Sequence, residues 1–227
     1  MFNRISARYD FLNTIMTAGR HHVWRKIAAG TVVDGSMNGT ALDVAAGTGD
    51  FIMELAQSDY IVDVVGIDFA PDMVLAGGEK ICRAGIGRKV SYLLGDAHVL
   101  PFAARTFMCV TVGFGVRNFM DATCAISETF RVLRPGGRMA ILEIVRIEDG
   151  AFRHLFRFYF KRVTPWLGAI LARDREAYTY LPESVEKFYS ARELSEIMHK
   201  EGFEEVSIRR LAFGSVAIIS GRRSRNS

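Results

Sequence analysis

The chain has 227 residues, of which 49% are hydrophobic and 24% charged, with a formal net charge of +4. This length suits one α/β domain, and the composition is that of a folded chain rather than a disordered one. Part of the positive charge is concentrated in Arg153–Arg175 and in the tail at 222–225, so a uniformly basic nucleic-acid surface is not predicted. The tail is expected to be solvated. No apolar run reaches the roughly 18 residues that a membrane-spanning helix needs.

Apolar runs alternate with helical patterns along the first two thirds of the chain, as is typical of a parallel sheet covered on both faces. The predicted strands are Thr40–Ala45, Val62–Ile67, Val90–Leu94, Phe107–Phe114 and Arg138–Ile144. The helices between them are predicted at Phe51–Gln57, Pro71–Arg83 and Ala122–Leu133. Arg134-Pro135-Gly136-Gly137 is expected to end the last helix and lead into the fifth strand.

A last helix and two last strands follow, at Ala191–Glu201, Glu205–Leu211 and Val216–Ser220. Because the connection around Gly214 is short, the two strands must form an antiparallel hairpin. The sequence therefore predicts one doubly wound, Rossmann-like α/β domain with a seven-stranded, mostly parallel sheet and an antiparallel last strand. Within it we expect a core at 38–145 and a final helix and hairpin at 191–221.

Two helical additions lie outside this core, an N-terminal extension within 1–30 and an insertion within 150–190. Insertions at the carboxyl end of a parallel sheet commonly form the substrate side of a site. The insertion has an aromatic helix face that could line an apolar tunnel and basic residues that could contact an anionic bilayer; a helix that simply packs on the core is the alternative. The cysteines, Cys82, Cys109 and Cys124, are interpreted as reduced core thiols of a cytoplasmic protein.

A strand that ends in a glycine-rich turn carries the clearest chemical signal. The stretch 42–50 contains Asp43, Ala45, Gly47, Thr48 and Gly49 and leads directly into a helix. Glycines in such a turn let a ligand approach the backbone closely. An acidic residue, Asp68, follows the second strand, where a carboxylate can accept hydrogen bonds from both ribose hydroxyls. The combination predicts an adenosine-containing ligand.

The residues around the turn favour S-adenosylmethionine over a nicotinamide dinucleotide. Ile52 occupies the place of the third glycine of a dinucleotide turn, and the acids Asp43 and Asp50 flank the turn. Carboxylates there would repel a pyrophosphate but suit a sulfonium and an ammonium. Next, Gly95-Asp96-Ala97 follows the third strand, where Asp96 can accept from the amine of adenine. These features predict the fold of a class I methyltransferase.

Motifs spread over nearly the whole chain resemble the C-methyltransferases of ubiquinone and menaquinone biosynthesis. They are Tyr9-Asp10, Asn13, Met16, Gly19, His21 and Trp24, then Phe114-Gly115-Val116-Arg117-Asn118, then Tyr178-Thr179-Tyr180-Leu181 with Glu183-Ser184. The resemblance implies cofactor contacts at Thr48, Asp68, Asp96, Ala97 and Gly113. Family members often have Ser at the last of these positions, so Gly113 keeps a backbone contact but loses a hydroxyl.

The resemblance also implies the acceptor, a polyprenylated quinol that is either demethylmenaquinol or a methoxy-polyprenyl-benzoquinol. Methyl transfer is an in-line displacement that requires no metal, and a ring carbon becomes nucleophilic when an adjacent hydroxyl is deprotonated. We expect Arg117 to hold the quinol oxygen as an anion, Asn118 to support it, and Tyr178 or Tyr180 to close the pocket.

Other interpretations stay open at several of these residues. His21 is either a proton carrier or a satisfied histidine, Asp10 and Asn13 could cap helices, and Trp24 is more typical of packing. A methyltransferase of another small hydrophobic molecule, such as a sterol, a phospholipid or another phenol, is the alternative function. The sequence does not decide between the two quinols, nor whether the protein contacts a membrane, forms a homo-oligomer or has a leader before Met1.

Overall fold

A computed structural model describes residues 19–33, 35, 38–148 and 184–225. The strands are β1 Gly39–Val44, β2 Ile61–Asp68, β3 Val90–Leu94, β4 Phe107–Gly113, β5 Leu133–Ile144, β6 Phe203–Leu211 and β7 Val216–Arg223. The α-helices are α1 Arg20–Val32, α2 Asp50–Leu55, α3 Pro71–Arg83, α4 Ala122–Val132 and α5 Ala191–Lys200. Short 3₁₀ turns lie at Val116–Asn118 and Ala212–Gly214.

All seven strands form one sheet in the order β3-β2-β1-β4-β5-β7-β6. The first five strands are parallel, and β7 is antiparallel to both β5 and β6. The predicted sheet, its antiparallel last strand and the hairpin are therefore confirmed. Because the order reverses between β1 and β4, the carboxyl ends of these strands open a crevice in which α/β proteins bind ligands.

Helices cover both faces of the sheet, as the alternating pattern predicts. On one face Ile126 of α4 and Leu194 of α5 pack on apolar residues of the sheet, and on the other face Trp24 of α1 and Phe51 of α2 do so. The helix ends follow from local chemistry: α3 begins with Pro71, and Ser190 and Glu193 form a capping box at α5. None of the described helices is long and apolar enough to cross a bilayer.

The predicted start of the fifth strand, Arg138, is wrong, because β5 begins at Leu133 directly after α4. The segment 134–137 lies inside the strand as a bulge, since the pairing with β4 shifts between Leu133 and Arg138. A Cβ atom on Gly137 would lie 2.7 Å from the Met108 carbonyl oxygen. The glycine therefore permits close strand approach rather than only a turn.

Two smaller expectations also need correction. Arg223 belongs to β7 rather than to a solvated tail; its guanidinium donates to the carbonyl oxygens of Phe130 and Leu133 and lies 4.6 Å from the centre of the Phe130 ring. Burial of its stem and these acceptors explain why an arginine packs there. Cys82 is exposed on α3 rather than a core thiol.

Candidate active site

A cavity of about 280 Å³ opens at the carboxyl ends of β1, β2, β3 and β4, at the reversal in strand order. Eight of the predicted cofactor residues line it: Asp43, Ala45, Gly47, Thr48, Asp68, Asp96, Ala97 and Gly113. Gly49 does not line the wall but precedes α2 with φ 87°, a backbone conformation that glycine adopts without strain. The structure thus brings these residues, which are up to 70 positions apart, to one cavity.

The glycine-rich turn is held in place by groups from the neighbouring strands. The backbone N–H of Gly47 donates to Asp68 Oδ2 at 2.7 Å, and the Tyr92 hydroxyl donates to the Gly47 carbonyl. Gly47 has φ 56°, and a Cβ atom there would meet nothing within 4 Å. Hydrogen bonds therefore hold the turn against the sheet, and the space beside Gly47 is open, which leaves room for a ligand on the backbone.

Asp68 keeps the capacity to bind ribose although it already accepts hydrogen bonds from the backbone. Oδ2 accepts from Gly47 and Oδ1 accepts from the N–H of Ala70 at 2.9 Å. The N–H of Phe69 is a further backbone donor to this carboxylate. A carboxylate has about four acceptor positions, so about one remains for the hydroxyls of a nucleoside. Burial raises the pKa of this carboxyl, while these backbone donors oppose the rise. The position and the remaining acceptor site fit an adenosine moiety.

Asp96 and His98 form a second polar group in the cavity wall, after β3. The backbone N–H of His98 donates to Asp96 Oδ1 at 2.9 Å, and His98 Nδ1 lies 2.6 Å from the same oxygen. These contacts, led by the backbone donor, lower the pKa of Asp96. The second oxygen, Oδ2, is the one that these His98 contacts leave for an adenine amine. The sequence did not predict His98 as a site residue.

The pKa values of the two acids that flank the turn are shifted in opposite directions. Asp43 is fully buried and accepts from the Thr111 hydroxyl at 2.7 Å, and burial raises its pKa to about 7. Burial also acts on Asp50, but Arg25 Nη1 at 2.8 Å and Lys80 Nζ at 2.5 Å overcome it and lower its pKa. The negative charge that the sequence assigns to Asp50 is therefore balanced by two cations.

The structure explains why glycine stands at position 113, the last residue of β4. A Cβ atom there would lie 2.6 Å from Cδ2 and Cε2 of Phe51, whose ring also lines the cavity. Real Cβ atoms essentially never approach so closely, so a serine would require the Phe51 ring to move. The ring occupies the space of the missing side chain.

Arg117 and Asn118, the predicted catalytic pair, take different positions. Asn118 lines the cavity, whereas Arg117 does not and instead donates from Nη1 to Glu143 Oε1 at 2.8 Å. The backbone N–H of Arg117 also donates to Glu143 Oε2 at 3.2 Å. Within the described residues, the buried Nε of Arg117 has no hydrogen-bond partner. Arg117 is thus anchored beside the cavity with one donor unused.

Glu143 is a site residue that the sequence analysis did not find. Its side chain is fully buried near the end of β5, burial raises its pKa, and the Arg117 guanidinium opposes that rise. The available signal was an acid that directly follows the apolar run Ala140-Ile141-Leu142 of a central strand. A buried charge is costly unless it is paired, so this acid indicates a partner elsewhere in the fold.

His21 is buried, with 1% of its surface exposed, and lies outside the cavity wall. Its ring contacts Arg25, and its Nδ1 lies 3.9 Å from Asp50 Oδ2. His21, His22 and Asp50 each place an atom that could bind a metal ion within 4.8 Å of the other two. Arg25 and Lys80 already compensate the charge of Asp50, which disfavours a metal ion there. Trp24 is packed in the core. Tyr178, Tyr180, Asp10, Asn13 and the insertion 151–180 lie outside the described residues.

The motifs of this site belong to a known family. A model described as the "ubiE/COQ5 methyltransferase family" matches residues 1–223, nearly the whole chain. The chain belongs to the ubiE/COQ5 methyltransferase family. It is therefore an S-adenosyl-L-methionine-dependent methyltransferase, and the acids and glycines of the cavity fit that cofactor.

Relatives agree with this assignment, and a solved structure shares the fold. The chain is 40% identical to the demethylmenaquinone methyltransferase of Thermus thermophilus, covering 98% of this chain and 100% of the relative. It is 38% identical to the ubiquinone/menaquinone biosynthesis C-methyltransferase UbiE of Geobacter sulfurreducens, covering 98% and 87%. A putative methyltransferase solved with the Haloferax volcanii Trm112 activator shares the fold, with a TM-score of 0.70, 17% identity and coverage of 98% and 97%.

Proposed function

We propose that this family member methylates a ring carbon of a polyprenylated quinol, either demethylmenaquinol, a methoxy-polyprenyl-benzoquinol or both. The observation that carries the proposal is the composition of the cavity wall. Cofactor residues at the ends of β1, β2 and β3 face one part of the cavity, and Asn118, Phe119 and Met120 after β4 line another. Donor and acceptor would then meet in one cavity, which is what an in-line displacement requires. The names of the relatives supply the acceptor class.

When bound, S-adenosylmethionine supplies an electrophilic methyl group on its sulfonium. Asp68 and Asp96 would hold the adenosine part, and the open backbone at Gly47 would lie against the remainder. Phe51 and Phe114 add apolar surface to the wall, which excludes water from the reacting atoms. The chain's own contribution on this side is binding and orientation.

On the acceptor side, we assign Asn118 to contact with the quinol oxygen and Arg117 to stabilisation of its anionic form. Arg117 cannot serve as a base at ordinary pH, but a guanidinium favours a phenolate by charge. Glu143 accepts from both Nη1 and the backbone N–H of Arg117. The other N–H groups of the guanidinium are therefore held in one orientation. Tyr178 or Tyr180 closing the pocket stays a prediction, and His21 is placed behind Arg25 rather than against the acceptor.

We further propose that the enzyme takes its acceptor from a membrane surface by peripheral contact. The mouth of the cavity supports this, because two of its lining residues are large apolar side chains exposed to solvent, Phe69 at 77% and Met120 at 98%. Exposed apolar side chains beside a site are typical of contact with lipid or with an apolar ligand. Co-sedimentation with liposomes tests this point, and absence of binding would contradict it.

The test of the function is transfer of a labelled methyl group to chemically reduced demethylmenaquinol and to reduced methoxy-polyprenyl-benzoquinol. Their oxidised forms and a reaction without acceptor are the controls, since only a quinol offers the hydroxyl that activates the ring. Label in a reduced acceptor alone supports the proposal and identifies the ring. Transfer to neither quinol, with S-adenosylhomocysteine binding intact, would overturn the acceptor assignment in favour of another small hydrophobic molecule.

A further inference from the structure

The charges around the cavity are unevenly distributed. Four acids line it, Asp43, Asp50, Asp68 and Asp96, whereas Arg25 is the sole arginine or lysine among the described residues of its wall. The methionine end of the cofactor carries a carboxylate as well as an ammonium. An anion placed among acids needs a cation or several N–H donors close by.

The backbone of the glycine-rich turn offers little to that carboxylate. The N–H of Gly47 donates to Asp68 Oδ2 at 2.7 Å, and the N–H of Gly49 donates to the Ala46 carbonyl at 2.9 Å. In many phosphate-binding turns these amides are the anion site. Here both are used within the protein, which favours a side-chain cation as the partner of the carboxylate.

Arg25 lines the cavity wall near Phe114, where its guanidinium can donate to a ligand. It lies on α1, is buried, and its Nη1 contacts Asp50 Oδ2 at 2.8 Å and the His21 ring. Its Cζ lies 5.5 Å from the centre of the Phe114 ring, which follows β4. Within the described part of the chain, Nη1 makes both polar contacts, so Nε and Nη2 are left for a ligand.

We propose that Arg25 binds the α-carboxylate of the methionine moiety of S-adenosylmethionine, with Asp50 and His21 holding the guanidinium in place. Asp68 is the last residue of β2 and Asp96 follows β3, whereas Arg25 lies near Phe114 after β4. The cofactor is thereby oriented with adenosine on the β2–β3 side and its amino acid toward α1. The proposal concerns the donor alone and is independent of the acceptor assignment.

The test is calorimetric binding of three ligands that differ only at the amino-acid end. S-Adenosylhomocysteine carries the carboxylate and the ammonium, S-adenosyl-3-thiopropylamine lacks the carboxylate, and 5′-methylthioadenosine lacks both. The wild-type protein is expected to prefer the first ligand over the second by about 30-fold, the usual cost of an unpaired charged partner in a buried site. In Arg25→Met this preference falls to about 3-fold or less, and methylthioadenosine affinity changes by less than about 3-fold.

Two further variants separate direct contact from an effect through Asp50. Lys80→Met removes the other cation on Asp50 but does not touch the cavity wall, so it should retain the wild-type preference. Arg25→Lys keeps the charge without the planar fork and should retain part of it. Equal loss of preference in Lys80→Met and Arg25→Met would overturn the proposal. So would a wild-type protein that binds the first two ligands equally, a result that requires no variant to fold.

Discussion

The donor and acceptor sides of the cavity are built in different ways. On the donor side, Asp68 ends β2, and the turn 45–49 and Asp96 lie in short segments after β1 and β3; backbone hydrogen bonds fix all three. On the acceptor side, Arg117 depends on Glu143, a buried acid 26 residues away on the next strand of the sheet. Hydrogen bonds to backbone groups therefore hold the donor side, whereas a buried ion pair between two side chains holds the acceptor side.

The largest effect is expected at Glu143. Glu143→Gln leaves the buried Arg117 guanidinium without its counter-ion, which should lower the free energy of unfolding by about 3–5 kcal/mol. Urea denaturation measures the loss. As a matched control, Glu196→Gln breaks the exposed pair with Arg192 and should cost at most about 1 kcal/mol. Equal losses of unfolding free energy in the two variants would mean that the Arg117–Glu143 pair contributes no more to stability than an exposed ion pair.

This contrast also explains what could be predicted from the sequence. The turn, Asp68 and Asp96 were predicted because strand-turn-helix patterns place them at one sheet edge whatever the rest of the chain does. Glu143 and Arg25 were not, since their roles depend on which side chains the fold brings opposite them. The start of β5 was missed for a similar reason: Gly137 reads as a turn residue but serves a close approach between strands.

On the donor side, Asp68→Asn should weaken S-adenosylhomocysteine binding by about 30- to 100-fold. The amide offers one acceptor oxygen instead of two, and charged acceptors make the stronger hydrogen bonds. Isothermal calorimetry measures the change. Asp63→Asn, on the exposed part of β2, is the control and should bind as the wild type does. A loss below about 3-fold for Asp68→Asn would contradict the assignment of this carboxylate to the cofactor.

A steric prediction follows from Gly113 and Phe51. Gly113→Ser should lower stability by about 1–3 kcal/mol, because the added atoms overlap the Phe51 ring in a packed wall. Thermal unfolding measures this loss. Adding Phe51→Leu should recover part of it, so the two substitutions should be non-additive. Additive losses would show that the ring is not what excludes a side chain from position 113.

The stability of the protein is also expected to depend on pH, through Asp43. Its folded pKa of about 7 lies above the ordinary value of 3.8, so the folded state binds the proton more tightly than the unfolded state. This contribution to stability is present at low pH and is lost as pH rises through about 7, by up to about 1.4 kcal/mol per pH unit. Asp43→Asn should therefore gain stability relative to wild type between pH 5 and 7 and level off above. A constant difference across that range in urea titrations would contradict the raised pKa.

The most direct test of the division between the two sides is a paired measurement on Arg117→Met. S-Adenosylhomocysteine affinity is measured by calorimetry, and transfer to reduced demethylmenaquinol and to reduced methoxy-polyprenyl-benzoquinol is measured with the same protein sample. Affinity within about 3-fold of wild type is expected, together with a methyl-transfer rate lowered by about 100-fold or more, because the phenolate loses the cation that stabilises it. Unchanged transfer, or a fall in affinity as large as the fall in rate, would contradict it.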